Sequence, residues 1–143
     1  MFQIRACLTV LALTCAPALA GVITVDDSGG ADFTDLPQAV AAAAPGDTLL
    51  VHPGQYSSFT IDAKPLTVLG LAAGQVVVEG TSRVNGVTAP FKVVLCQIDF
   101  ERLALSGNSG ALVLDGVRVF GPDVAFFGVA QCADVRAIAV VVE

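Results

Sequence analysis

The spacing of hydrophobic residues changes once along the chain, and the change separates a helical part from a part made of strands. Four apolar residues recur three and four positions apart, at Phe33, Leu36, Val40 and Ala43. This spacing forms one apolar face of a helix. Thr34 or Asp35 can cap the helix, and Pro37 falls in the first turn, where its missing N–H costs little. The pattern predicts a short helix over about residues 35–44.

The rest of the chain consists of strand-length apolar runs separated by small and turn-forming residues. One run, residues 21–25, precedes the helix. The later runs cover residues 48–52, 59–62, 66–69, 76–79, 91–96, 98–100, 103–105, 111–114, 117–120 and 124–127. No second helical pattern follows, which argues against a doubly wound α/β fold. A sandwich, a barrel and a solenoid remain.

Weak internal repetition favours the solenoid. Three segments resemble one another at intervals of 19 and 18 residues, namely 97–100, 116–119 and 134–137. Alternation along a strand places Ile98, Val117 and Val135 inward on successive rungs, which are about 4.8 Å apart. The neighbouring positions, which then point outward, are Asp99, Arg118 and Arg136.

Residues 30–70 carry three short motifs. These are the turn Ala44-Pro45-Gly46-Asp47, the segment Val51-His-Pro-Gly-Gln-Tyr56 and the closing Leu66-Thr-Val-Leu-Gly70. Together they resemble the N-terminal part of secreted parallel β-helix proteins, the pectin-lyase-like superfamily. The resemblance implies an all-β fold, a right-handed parallel β-helix (a solenoid) with a short N-terminal capping α-helix. We expect this helix to cover the end of the first rung, with Phe33, Leu36 and Val40 as lid residues.

The superfamily that the chain resembles contains pectin methylesterases, polysaccharide lyases and repeat proteins of no known activity. The motifs around the catalytic residues of those enzymes are not recognisable here, so no catalytic residue is carried over. Three functions are therefore considered. The first is a secreted repeat module, non-catalytic alone, that associates with extracellular or cell-envelope carbohydrate or assembles into a surface protein. The others are a small or truncated polysaccharide lyase or carbohydrate esterase, and a purely structural repeat fragment.

The first twenty residues have the features of a secretory signal peptide. Arg5 gives a basic start, residues 6–13 are apolar, and Ala18-Leu19-Ala20 offers small residues for cleavage. The apolar run is too short to span a bilayer. We therefore predict a signal peptide over residues 1–20 and a single β-helix domain over 21–143, with rungs over about 48–143. The mature protein is predicted to be secreted, periplasmic or on the cell surface.

A lipoprotein is the alternative to a cleaved secretory signal. It would need Cys15 as the lipidated residue, but Ala12-Leu13-Thr14 makes a poor lipobox beside the Ala-x-Ala cleavage site.

The charge of the chain argues against nucleic acid as a partner. Without Arg5 the predicted mature domain has 6 basic and 13 acidic residues, a net charge of −7. Binding to a phosphate backbone needs clustered Lys and Arg, and the basic residues here are scattered singly. The acidity is compatible with cation binding or with solubility alone.

The outward residues Asp99, Arg118 and Arg136 are the candidates for a catalytic site. A carboxylate beside two guanidinium groups can position an anionic sugar and accept a proton. The alternative is an ion pair between rungs on a solvated face, which contributes little to stability.

A second group of acids, Asp26, Asp27 and Asp32, surrounds a glycine-rich turn and is the candidate site for calcium. Calcium needs about six to eight oxygen ligands, and the spacing of these acids differs from that of an EF-hand loop. Turn formation and helix capping explain them without a metal. No other cofactor is predicted.

Two cysteines and one histidine remain in the predicted mature domain. Cys96 and Cys132 fall about two rungs apart, near 10 Å, whereas a disulfide needs Cα atoms within about 7 Å. We predict two free, buried thiols. His52 lies in the His-Pro-Gly-Gln-Tyr turn, which we interpret as structural.

Residues 137–143 form a strongly apolar strand with no polar cap after it. Such an end exposes the core of a solenoid unless something covers it. We expect further rungs of a longer β-helix, a second copy of the chain or a partner protein at this end. Self-association and a protein partner therefore join polysaccharide as predicted partners.

Overall fold

A computed structural model describes residues 19–121, 134–138 and 141–142, the last two segments as backbone only. It contains one helix, α1 (Leu36–Ala42), within these residues. The strands are β1 (Val22–Val25), β2 (Thr48–Val51), β3 (Gly54–Ser57), β4 (Thr60–Asp62), β5 (Thr67–Gly70), β6 (Val76–Asn85), β7 (Lys92–Cys96), β8 (Asp99–Ser106), β9 (Ala111–Asp115), β10 (Arg118–Val119), β11 (Asp134–Ile138) and β12 (Val141–Val142).

The strands form two parallel sheets that wind into a β-solenoid. The first sheet has the order β1-β2-β5-β7-β9-β11. The second has the order β3-β6-β8-β10-β12, and β4 also pairs with β6. Each turn of the chain thus adds a strand to both sheets, which is the arrangement of a parallel β-helix. This confirms the predicted solenoid and its single short helix.

The second sheet bends where β6 and β8 are longest. β3 pairs with the first part of β6, and β4 pairs with the last part. Between them the register shifts by one residue, so that Glu79 and Gly80 stand opposite Glu101. The bulge kinks the paired strands. The solenoid therefore has three faces, and the bend lies between the second and the third.

Side chains stacked from rung to rung fill the core. On the first sheet the buried stack runs from Leu49 through Val68 and Leu95 to Leu114. On the second, Tyr56, Val78, Phe100 and Val119 occupy equivalent positions. Ile98 and Val117 are fully buried, as predicted. Alternate strand positions point to opposite faces, so the residues between these stacks form outward rows.

The helix α1 covers the N-terminal end of this core. It contacts β1 and also β3 and β4, which lie one rung further along because β1 stacks on β2. Leu36 and Val40 are buried, and Phe33 packs against the core. The predicted lid is therefore confirmed.

Polar groups hold both ends of α1. Asp35 is the N-cap, because its Oδ1 accepts the Leu36 N–H at 2.8 Å. At the other end the Lys64 ammonium donates to the carbonyls of Val40 and Ala43. A cation at a helix C-terminus satisfies its last carbonyls and complements the helix dipole. The observed helix ends at Ala42, slightly before the predicted residue 44.

The described part of the chain contains no helix with the length and apolarity needed to cross a membrane.

Candidate functional site

Two outward rows on the second sheet form the candidate site. The first, called here the Asp99 row, consists of Gln55, Val77, Asp99 and Arg118 on successive rungs. The second, the bend row, lies two residues further along the same strands. Its members are Ser57, Glu79, Glu101 and Phe120.

The Asp99 row contains the predicted pair of a carboxylate and a guanidinium. Arg118 lies directly opposite Asp99. Its Nε donates to Asp99 Oδ1 at 2.9 Å, and its Nη2 donates to Asp99 Oδ2. This two-point geometry is the strongest arrangement that an arginine and a carboxylate can adopt. The pairing of these two residues was predictable from their 19-residue spacing.

The surroundings of Asp99 correct the prediction of a solvated face. Its side chain is only 6% exposed, whereas that of Arg118 is 44% exposed. Arg118 lies across the turn before β6, where a Cβ on Gly74 would stand 2.6 Å from Nη2. Asp99 is therefore covered by its own partner. Both of its oxygens already accept hydrogen bonds, which leaves it poorly placed to accept a proton from a substrate.

Arg136 does not join this pair, which is a correction to the predicted group of three. It lies on β11 opposite Val113 of the first sheet, and Val135 lies opposite Leu112 rather than Val117. The residue opposite Arg118 on the next rung is Val141. Turns of the solenoid differ in length, since 19 residues separate Thr48 from Thr67 and 27 separate Thr67 from Val94. A fixed repeat length therefore fails to predict which residues lie opposite one another on successive turns.

The bend row begins with the bulge. Gly80 has a φ of +79°, a left-handed conformation that glycine adopts readily. Its N–H donates to Glu101 Oε2 at 2.6 Å, so the next rung satisfies a donor at the bulge. The Arg102 guanidinium lies 3.6 Å from the other oxygen of the Glu101 carboxylate. Glu79, beside Gly80, is exposed.

Phe120 places an aromatic ring at the next rung of the bend row. Its N–H donates to the Phe100 carbonyl at 3.1 Å, which sets it opposite Glu101. The side chain is 43% exposed, unlike the inward Val119 beside it. An exposed aromatic ring thus continues a row that starts with a hydroxyl and two carboxylates.

The start of the bend row lines an open depression of about 480 Å³. The lining residues are Gln55, Tyr56, Ser57, Ser58, Glu79 and Gly80. Amide, hydroxyl and carboxylate groups therefore meet in one concave place, the kind of surface that orients a polar ligand. This depression and the ring of Phe120 lie on the same row, about two rungs or 10 Å apart.

The acids proposed as calcium ligands are each bound to the backbone near the first rung. Asp26 Oδ1 accepts the N–H and hydroxyl of Ser28. Asp27 Oδ2 accepts the N–H of Gln55, and Asp32 Oδ2 accepts the N–H and hydroxyl of Thr24. These hydrogen bonds lower the pKa of the Asp26 and Asp32 carboxyls. In residues 19–121, no three His, Cys, Asp or Glu side chains are grouped to hold a metal ion.

His52 and Tyr56 belong to the same first-rung structure. His52 Nδ1 lies 3.9 Å from Asp26 Oδ2. The Tyr56 hydroxyl donates to the His52 carbonyl at 2.8 Å, and burial raises the pKa of this phenol. The Tyr56 side chain thus bonds to the backbone at the start of its own His-Pro-Gly-Gln-Tyr segment.

Cys96 carries a free thiol, and burial followed by the nearby Asp115 carboxylate raises its pKa. It is half-buried rather than fully buried, which corrects the prediction for this residue. Cys132 lies outside the described residues, so the second free thiol stays a prediction.

Sequence reasoning missed two buried polar residues at the corners. Asn108 lies in the glycine-rich segment before β9, yet it is fully buried. Its side chain accepts the Val87 N–H and donates to the Val84 carbonyl, both on the previous rung. Ser82 is also buried, and its hydroxyl accepts the N–H of Phe59. Neither an Asn in a glycine-rich turn nor a Ser inside strand β6 gives a sequence signal of such a role.

Comparisons with known proteins found no matching protein family, no matching curated protein and no matching solved structure.

Proposed function

We propose that this chain is an exported β-solenoid module that binds carbohydrate through the bend row and catalyses no reaction alone. The observation that carries the proposal is the bend row itself. It combines the hydroxyl of Ser57, the exposed carboxylate of Glu79 and the ring of Phe120 along one line on the surface. Sugars present hydroxyl groups at their edges and C–H groups on their faces. The polar groups suit the edges, and the electron-rich face of the ring suits the C–H groups.

The rung spacing supports an extended ligand rather than a single small molecule. Members of the row repeat at about 4.8 Å along the solenoid axis. A glycan chain laid along that axis would contact the depression and Phe120 together. Export is proposed from the signal-like residues 1–20.

Charge favours a neutral glycan over a polyuronate. Arg118 pairs with Asp99 and Arg102 lies beside Glu101, so these four side chains balance one another. Glu79 adds a further negative charge to the row, and the whole chain carries a net charge of −6. Uronate carboxylates would be repelled there. We therefore expect binding to hydroxyl-rich neutral chains and weaker binding to polygalacturonate or alginate.

We propose that the chain is not catalytic because the Asp99 carboxylate is already bound to Arg118. A lyase or esterase that used this residue would need a carboxylate oxygen open to substrate. Both oxygens of Asp99 accept hydrogen bonds from Arg118, and the side chain is 6% exposed. The enzyme hypothesis would regain support if the purified chain released products from any of these polysaccharides.

Binding is tested by affinity electrophoresis and calorimetry with neutral and acidic polysaccharides. Phe120→Ala is expected to weaken binding about tenfold or more, taking as a guide the roughly 1–3 kcal/mol that stacking of a nucleobase on an aromatic side chain contributes. The matched control is Phe91→Ala, which removes another ring, 50% exposed, just before β7 of the first sheet. Equal losses in both variants, or no binding to any glycan by the natural chain, would refute the proposed site.

A further inference from the structure

The outward side of the first sheet is largely apolar, and two rows of side chains cross it from β2 to β9. The Thr48 row consists of Thr48, Thr67, Val94 and Val113 on successive rungs. The Leu50 row, two residues further along the same strands, consists of Leu50, Leu69, Cys96 and Asp115. Only the last member of the Leu50 row is an acid or a base that is charged at neutral pH. The outward rows of the second sheet, in contrast, contain carboxylates and a guanidinium.

Both rows remain accessible from outside the solenoid. All of their side chains are half-buried, because neighbours on adjacent rungs cover their flanks and leave their outer ends exposed. Val22 continues the Thr48 row onto β1 and is 62% exposed. A contiguous apolar patch of this kind marks a place where another molecule binds.

The dimensions of this face indicate how tightly a partner would bind. The five strands from β1 to β9 cover about 24 Å along the solenoid axis, and five residues cover about 17 Å along a strand. The face therefore measures roughly 400 Å². Two such faces packed together would bury about 800 Å², which is below the roughly 1,200 Å² of stable complexes and suits a weak, reversible contact.

Two residues of opposite charge lie at opposite corners of the face. Lys92 begins β7, outside the Thr48 row, and is exposed. Asp115 ends β9 in the Leu50 row. Within one chain they are four residues apart along the strands and one rung apart along the axis, or about 14 Å. They are therefore too far apart to pair with each other.

We propose that this face binds the same face of a second copy of the chain, with the strands of the two copies antiparallel. A twofold axis parallel to the solenoid axis keeps the rungs level and reverses the strand direction. Lys92 then lies opposite the end of β7 in the second copy, one rung or about 4.8 Å from Asp115 of that copy. Symmetry makes this contact twice. The apolar rows between the two contacts interdigitate, as in other face-to-face sheets.

A second copy is favoured as the partner because the face is complementary to itself. Its opposite charges lie at opposite ends of the strands, so reversing the strands brings Lys92 of each copy toward Asp115 of the other. Parallel strands would instead bring each Lys92 toward the other. The net charge of −6 opposes contacts between copies through their acidic surfaces, and this face has the fewest charges to repel. The bend row lies on the other sheet, so the pairing does not depend on carbohydrate binding.

The first test follows the mass of the natural chain by sedimentation equilibrium from micromolar to millimolar concentration. The natural chain is expected to dimerise reversibly. Thr67→Glu puts a charge in the middle of the face and is expected to weaken dimerisation about tenfold or more. Its matched control is Thr60→Glu, the same substitution at an exposed position of β4 in the second sheet. The control is expected to dimerise like the natural chain.

A charge exchange tests the antiparallel arrangement. Lys92→Glu and Asp115→Lys are each expected to weaken the dimer, and Lys92→Glu/Asp115→Lys is expected to restore it with the signs reversed. Asp115→Lys makes the chain less acidic, so general repulsion between copies would change in the opposite direction. Because the two residues are about 14 Å apart within one chain, restoration reports a contact between copies.

Three results would overturn the proposal. They are a natural chain that stays monomeric at millimolar concentration, equal dimerisation of Thr67→Glu and Thr60→Glu, and a double exchange that dimerises no better than the single variants. Lys92 is exposed, so Lys92→Glu stays informative if Thr67→Glu folds poorly. Phe120→Ala is expected to leave dimerisation unchanged, which separates this proposal from the carbohydrate site.

Discussion

The edge of the first rung and the bend of the second sheet face the same physical problem and solve it with the same chemistry. Each has backbone N–H groups without a strand to receive them, at the edge because β3 is the last strand and at the bend because of the bulge. Asp27 and Asp35 accept such groups at the edge, and Glu101 accepts that of Gly80 at the bend.

The two regions differ in which side-chain groups remain exposed once the backbone N–H groups have acceptors. At the edge the carboxylates of Asp27 and Asp35 accept hydrogen bonds from backbone N–H groups. At the bend Glu79 and Phe120 are still exposed beside the hydroxyl of Ser57. A density of acidic residues is therefore a poor guide to a binding site in this fold. The exposed groups left over after the backbone is satisfied are the better guide.

The largest effect that tests this comparison is expected at Asp47, a buried carboxylate beside the first rung. It is 7% exposed, and its two oxygens accept the N–H groups of Gly21 at 2.6 Å and Ala44 at 2.8 Å. Hydrogen bonds to a charged group contribute about 1.5–3 kcal/mol. Asp47→Ala should lower the free energy of unfolding by about 3 kcal/mol, measured by urea denaturation. If it costs no more than Asp62→Ala, an exposed control, the structural role assigned to Asp47 is wrong.

A smaller loss is expected at Asp35, which joins α1 to the edge. Replacing an aspartate N-cap by alanine costs about 0.5–2 kcal/mol, and here the Ser57 N–H also loses its acceptor. Asp35→Ala should therefore destabilise the fold by about 1–2 kcal/mol. Asp35→Asn keeps a good capping group and should cost less than half as much. Similar losses in the two variants would mean that charge, and not capping, is what matters at this position.

The parts of this comparison that sequence predicted are the local ones. The helix and its buried lid residues follow from spacing within one short segment, which also offered Asp35 as one of two candidate caps beside Thr34. The pair of Asp99 and Arg118 follows from one 19-residue interval between adjacent rungs. In each case the signal is complete within one element or one turn of the solenoid.

The parts that sequence missed depend on register between rungs. Arg136 was placed in the wrong sheet because turn lengths vary. The bend row was not found because the register of β6, β8 and β10, beside the bulge at Gly80, aligns Glu79, Glu101 and Phe120 across rungs. The free energy that selects a bulge is shared among strands far apart in sequence, so no local pattern reports it.

A modest loss of stability is expected when Glu101 at the bend is replaced. Glu101→Ala removes the acceptor of the Gly80 N–H, but solvent can replace it there because the side chain is 31% exposed. We expect a loss of about 0.5–1 kcal/mol in unfolding free energy and faster hydrogen exchange at the Gly80 amide. Glu101→Gln keeps an acceptor and should leave that amide protected. Unchanged exchange in the alanine variant would show that the bulge does not depend on Glu101.

The smallest effect on stability is expected from acid at the edge of β1. Hydrogen bonds from the Thr24 N–H and hydroxyl lower the pKa of Asp32 below its ordinary value of 3.8. Folding therefore favours the deprotonated form. This stabilisation is complete above the pKa of the unfolded chain and is lost as the pH falls through the lower pKa of the folded protein.

The measurement is the difference in unfolding free energy between the natural chain and Asp32→Asn, followed from neutral pH to below 3.8. The natural chain should be the more stable at neutral pH, and the difference should shrink once Asp32 is protonated in both states. Asp32 is exposed, so salt should reduce the effect. A difference for Asp32→Asn that grew as the pH fell would mean that the carboxylate does not depend on the Thr24 donors.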